Sequence, residues 1–137
     1  VLPSRVDERL LDWLAGTRLS PVLVVHANHP HELDAGVADA AARLRARGVT
    51  LLNQTVLLAG VNDDPEVLIA LSERLFECGI QPYYLHALDR VQGAGHFQAD
   101  AELPALMQAL RARLPGYLVP RPVREEPGQP AKTLLPY

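Results

Sequence analysis

The 137-residue chain is 48% hydrophobic and 21% charged with a formal net charge of −3, the balance of one globular unit rather than of a disordered chain. Its arginines are scattered instead of forming the basic face that nucleic acid demands, and no apolar stretch approaches the roughly 20 residues that cross a bilayer. With no secretory-type opening the chain reads as cytoplasmic, and its single cysteine excludes an internal disulfide and any metal site built from several thiolates.

Taken in chain order, Ser4 ahead of Arg5-Val6-Asp7 reads as the cap of a first helix, whose Leu10, Leu11 and Leu14 share a face before Gly16. The apolar run 21–25 predicts a strand ending in His26-Ala27-Asn28-His29. A second helix is expected to open at Pro30, with Glu32 and Asp34 in its first turn, Arg43, Arg45 and Arg47 near its end and Gly48 as its stop. Run 51–58 predicts a second strand, interrupted by Asn53-Gln54. Asp64 with Pro65 and Glu66 opens a third helix, whose stripe of Leu68, Leu71, Leu75 and Cys78 makes the thiol a small core hydrophobe before Gly79. Run 80–88 predicts a third strand, ending at Asp89. Asp100 caps a fourth helix with Leu103, Leu106, Met107, Leu110 and Leu114 on one face, broken by Pro115-Gly116. Residues 117–119 predict a short last strand. The tail beyond holds Pro120, Pro122, Pro127, Pro130 and Pro136, a density that argues against helix and against most central strands.

The three long runs begin at Val22, Leu51 and Ile80, two equal steps of 29 residues, the period of a strand plus a crossover helix. The fold class is therefore α/β, with parallel strands and crossover helices. Residues 1–116 hold the β/α units and residues 117–137 form a proline-rich carboxyl-terminal segment. A closed eight-unit barrel takes about 250 residues, so the expectation is the carboxyl-terminal portion of a partial barrel.

Such sheets gather functional groups at the carboxyl ends of their strands, where the polar clusters fall. His26 and His29 flank Asn28, an arrangement suited either to a ligand or to capping a helix entry. Asn53 and Gln54 must point to opposite faces of their strand, and the one facing the interior needs a ligand or a neighbouring backbone as partner. Asp89 at a strand end suits a cationic amine, and Glu125 and Glu126 offer further acids. Lys132 is the sole lysine of the chain, and only lysine among the cationic side chains can form a Schiff base with a carbonyl cofactor.

Four segments taken together resemble the lysine 2,3-aminomutase family of radical S-adenosylmethionine enzymes: His26-Ala27-Asn28-His29-Pro30, the stretch from Asn53-Gln54 to Asn62-Asp63, Pro82-Tyr83-Tyr84-Leu85-His86-Ala87-Leu88-Asp89, and Lys132-Thr133. His86 and Arg124-Glu125 look like the branch that makes β-lysine for modifying elongation factor P. The resemblance implies a radical-enzyme barrel segment, with pyridoxal 5′-phosphate held by Lys132 as a Schiff base. It implies lysine as small-molecule substrate, its side-chain ammonium bound by Asp89 and Glu125. It places His26 and Gln54 at positions that bind S-adenosylmethionine, and converts α-lysine to β-lysine by radical amino migration. The family's iron-sulfur cluster (4Fe-4S) is bound by closely spaced cysteines that this chain lacks, and Asp64 stands where some relatives carry a zinc-binding cysteine. No metal ligand is therefore assigned here, and the isolated stretch is expected to be inactive as a mutase. A noncatalytic scaffold, pairing through open sheet edges with another chain or a second copy, is the alternative.

Overall fold

The computed structural model describes residues 2–88 and 99–137, with side chains from Glu102 in the latter stretch. Helix α1 (Glu8–Ala15) leads into strand β1 (Val22–His26), followed by α2 (Ala35–Ala46), β2 (Thr50–Val56), α3 (Pro65–Glu77), β3 (Gln81–His86), α4 (Ala99–Arg113), β4 (Arg121–Arg124) and β5 (Thr133–Leu134). One five-stranded sheet runs in the order β1-β2-β3-β4-β5. The first four strands are parallel and β5 is antiparallel to β4. Each parallel strand lies beside its predecessor, and right-handed crossovers then carry every connecting helix to the same face of the sheet. This is the progression of a barrel wall, with no reversal of strand order.

Burial follows from that one-sided cover. Along β2, Leu51, Asn53 and Thr55 are buried while Leu52, Gln54 and Val56 are only half-buried. Leu51 and Leu85 join the main core with Val37, Ala41 and Leu44 of α2, Leu68, Leu71 and Leu75 of α3 and Leu103, Met107 and Leu110 of α4. The other face is open: Val22 is 55% and Val24 38% exposed. An apolar cavity of about 400 Å³ lies beside β1, the strand with no outer neighbour among the described residues, lined by Val6, Leu10, Leu23, Val25, Ala41 and Leu44. Among the described residues no helix is long and apolar enough to cross a membrane.

Several expected boundaries move. Ser4 lies in a 3-10 turn, Pro3–Arg5, and α1 is capped by Asp7, which accepts the Leu10 N–H at 2.9 Å. Pro30 opens only a single turn, Pro30–Glu32, capped by His29, and α2 starts afresh at Ala35 with Asp34 accepting the Val37 N–H. Residues 117–119 are not a strand: Gly116–Leu118 is a 3-10 turn, and the strand is Arg121–Arg124. It lies between β3 and β5 despite Pro122. In a four-residue strand proline removes one donor, while the Pro122 carbonyl still accepts from Leu135 N–H at 2.9 Å. Helix α4 begins at Ala99, one residue ahead of its expected cap, Asp100. Asp64 caps α3 and Gly79 (φ +73°) ends it as expected, because both signals act within one helical turn.

Candidate functional site

Three asparagines tie together the carboxyl ends of β1 and β2. Asn53 is 1% exposed and faces the helices. Its Oδ1 accepts the Ala27 N–H at 2.8 Å, and its Nδ2 donates to the Ala27 carbonyl at 3.1 Å and to Thr55 Oγ1 at 2.9 Å. Asn28 Oδ1 accepts the Val56 N–H at 2.9 Å. Asn62, fully buried, accepts the Leu58 N–H at 2.8 Å and donates to the carbonyls of Asn28 and Val56. His29 Nδ1 accepts the His31 N–H, and the Glu32 carboxylate accepts the N–H groups of Asn28 and His29. Asn28 and His29 are thus engaged in shaping the rim. Asn62 was not singled out from sequence, where an asparagine in a glycine-containing loop carries no mark of burial.

The open face holds a different set. Register places His26 beside Gln54, Gln54 beside Tyr84 and Tyr84 beside Arg121, with Val56, His86, Val123 and Leu134 forming the next row. Neighbouring strands lie about 4.8 Å apart, so His26 and Gln54 present a contiguous polar pair. Among the described residues the Gln54 amide has no hydrogen-bond partner. A register shift in β3, where Asn53 meets Pro82 but Gln54 meets Tyr84, leaves one extra residue. Tyr83 and Tyr84 consequently stack, centroids 3.8 Å apart.

Lys132 reaches this face from the segment before β5. Its Nζ is 3.5 Å from Glu125 Oε1 and 5.6 Å from the Tyr84 ring centre, with its side chain 28% exposed against 73% for Glu125. Half-buried His86 is held below the ordinary histidine range, first by burial and then by the positive charge of Lys132; Glu125 pulls the other way and His26 adds to the lowering. A hydrogen bond with Tyr84 pushes the Tyr83 phenol up, against the charges of Arg121 and Lys132. Of the five residues to which the resemblance gives a role, His26, Gln54, Glu125 and Lys132 thus lie on the open face. Asp89 lies outside the described residues. The tyrosine pair and Arg121 were missed, since strict alternation would send adjacent tyrosines to opposite faces.

No family model matches the sequence. The L-lysine 2,3-aminomutase of Haemophilus influenzae is 51% identical over 135 residues, and that of Escherichia coli 48% identical over 136, each alignment covering 98% of this chain. The L-lysine 2,3-aminomutase of Clostridium subterminale is 36% identical over 135 residues. This chain is homologous to the L-lysine 2,3-aminomutases over nearly its whole length. It spans 40% of the length of the Haemophilus and Escherichia relatives. A radical SAM methyltransferase from Sphaerobacter thermophilus shares the fold, with a TM-score of 0.54 and 19% identity over 85% of this chain and 37% of the other.

The residues of this stretch fit some cofactor chemistry and not other. Lys132 offers an amine beside the Tyr84 ring on the open face, a donor suited to a carbonyl cofactor. An iron-sulfur cluster does not fit: the one cysteine, Cys78, is buried against the helices, where burial raises its thiol pKa, and no group of three His, Cys, Asp or Glu converges among the described residues. Asp64 is engaged as a cap, accepting the Glu66 N–H at 2.9 Å.

Proposed function

We propose that this chain is the carboxyl-terminal barrel wall of an L-lysine 2,3-aminomutase, and that it supplies the lysine for pyridoxal 5′-phosphate and part of the substrate pocket. The observation that carries the reading is the meeting of Lys132, Glu125 and Tyr84 on the open face, in a chain homologous to these enzymes. Pyridoxal phosphate, when bound, supplies the conjugated system through which an amino group can migrate between adjacent carbons.

In this reading Lys132 Nζ is the attachment point and the Tyr84 ring walls it. Glu125, with Asp89, takes the ammonium of substrate lysine by charge-assisted hydrogen bonds of about 1.5–3 kcal/mol each. His26 and Gln54 face S-adenosylmethionine with the spare polar capacity of the open face. The cluster ligands come from elsewhere in the enzyme. β-Lysine made in the cytoplasm for elongation factor P is the use that His86 and Arg124-Glu125 suggest.

The test uses the full-length protein. Adding pyridoxal phosphate should give the absorbance of a lysine adduct, and Lys132→Ala should abolish both that band and conversion of lysine to β-lysine. An unchanged spectrum in Lys132→Ala would sink the reading. Asp89→Asn should weaken lysine binding far more than cofactor binding. A second reading, a noncatalytic scaffold or homo-oligomer, is favoured only by the edge of β1, unpaired among the described residues, and its apolar cavity.

A further inference from the structure

We propose that His86 is the proton acceptor for the Lys132 amine, so that the two side chains act as one unit in carbonyl capture. The proposal rests on the reading of Lys132 as the carbonyl-binding lysine and adds a role for a neighbour whose chemistry that reading leaves unused.

The geometry comes from two directions. Residues two apart on a strand share a face and lie about 7 Å from each other, so His86 follows Tyr84 on the open face. The Lys132 Nζ stands 5.6 Å from the Tyr84 ring centre, directly over the residue before His86 on that face. From the other side, His86 pairs with Val123 and Val123 with Leu134, two residues beyond Lys132. Among the described residues, the charged and titratable groups around the ring are His26 from β1, Tyr83 and Tyr84 from β3, Arg121 from β4, Glu125 after β4 and Lys132 before β5. Strand alternation turns Arg124 to the opposite face.

The chemistry requires such a group. Paired with Glu125 at 3.5 Å, Lys132 is an ammonium, and an ammonium has no lone pair with which to attack. A carboxylate beside it stabilises the charge and is a poor proton acceptor at neutral pH. Imidazole matches the task when neutral, and burial together with the cationic neighbours favours the neutral ring. In the proposed step the Lys132 ammonium passes one proton to a ring nitrogen of His86. The freed lone pair bonds to the carbon of an aromatic aldehyde, and the carbonyl oxygen leaves as water with the two protons still on the lysine nitrogen. The imidazolium then returns its proton to solvent. Nothing is oxidised or reduced.

The test is stopped-flow absorbance on the full-length protein mixed with pyridoxal phosphate. His86→Gln keeps a polar side chain of similar reach without a base, and is expected to slow adduct formation by about tenfold to a hundredfold while leaving the final amplitude within about twofold, the split that general-base help to the rate alone produces. It should also remove from the acid limb of the pH–rate profile the part that follows the His86 titration, and imidazole added to the buffer should restore part of the rate. A His86→Gln rate and profile like the parent's would overturn the proposal. The parent protein gives an independent check: the midpoint of its acid limb must coincide with the titration of the His86 ring followed by NMR, and a mismatch would overturn the proposal whatever the variant does. Lys132→Ala separates the two ideas. If that variant still forms the adduct, the reading of Lys132 itself fails; if it does not while His86→Gln behaves as the parent, only the role of His86 fails.

Discussion

Asn53 and Gln54 are successive residues carrying the same functional group, yet one is fully used within the chain and the other is not. Asn53 faces the helices, and its amide spans Ala27 and Thr55. Gln54 faces the open side, beside His26 and Tyr84. The same division runs through β1 to β3: Leu51, Thr55 and Leu85 are buried under helices, while His26, Tyr84 and His86 are half-buried or exposed. A polar group sealed from water must be satisfied internally or cost about 1–3 kcal/mol, whereas one on the open face can be reserved for a ligand. The helix-covered face thus holds the strands in place, and the open face spends its polar atoms elsewhere.

The sharpest way to break that contrast is to truncate both amides. Asn53→Ala strips the Ala27 N–H of its acceptor and leaves a void, for an expected loss of about 2–4 kcal/mol by urea denaturation. Gln54→Ala should stay within about 0.5 kcal/mol; comparable losses would mean that the faces do not differ. Next in size is Gly79→Ala. Gly79 has φ +73°, and an added Cβ would press on the Arg45 guanidinium, so a loss of about 1 kcal/mol is expected. An unshifted midpoint would show that the end of α3 relaxes freely.

The smallest effect concerns pH. Folding lowers the affinity of His86 for its proton relative to the ordinary value of 6.5, so the unfolded chain binds the extra proton. The stability tied to the neutral ring is complete above about pH 6.5 and is lost as pH falls through the folded value. His86→Asn should therefore lose less stability than the parent between pH 7.5 and 5.5, by a small margin because the ring is partly exposed. Equal acid sensitivity would argue that this corner of the open face is as wet as bulk solvent.

The strand-helix period and the ends of α3 were legible because their signals are local: an apolar run, Asp64-Pro65 at one terminus and Gly79 at the other. The start of α2 was not, because Pro30 and Glu32 serve a single turn as well as a helix. Arg74 from α3 decides between them by donating to the Leu33 carbonyl at 2.9 Å, a contact across 41 residues. The proline-rich tail misled for a similar reason, since pairing with β3 on one side and β5 on the other outweighs local propensity. Residue type, position at the strand ends and the resemblance of the four segments together marked Lys132, Glu125, His26 and Gln54. That Lys132 stands over Tyr84 depends on the reversal of β5, which no local pattern announces.

The extra residue in β3 has an evolutionary side. Pro82 and Leu85 are both buried against the helices with two tyrosines between them, so losing either tyrosine would restore regular alternation and leave Leu85 and His86 oriented as they are. A single-codon deletion at this point is expected to yield a folded protein, while one at Leu85 would restore the same alternation only by putting Tyr84 into the buried position that Leu85 fills. Length variation in this strand should be confined to the tyrosine pair.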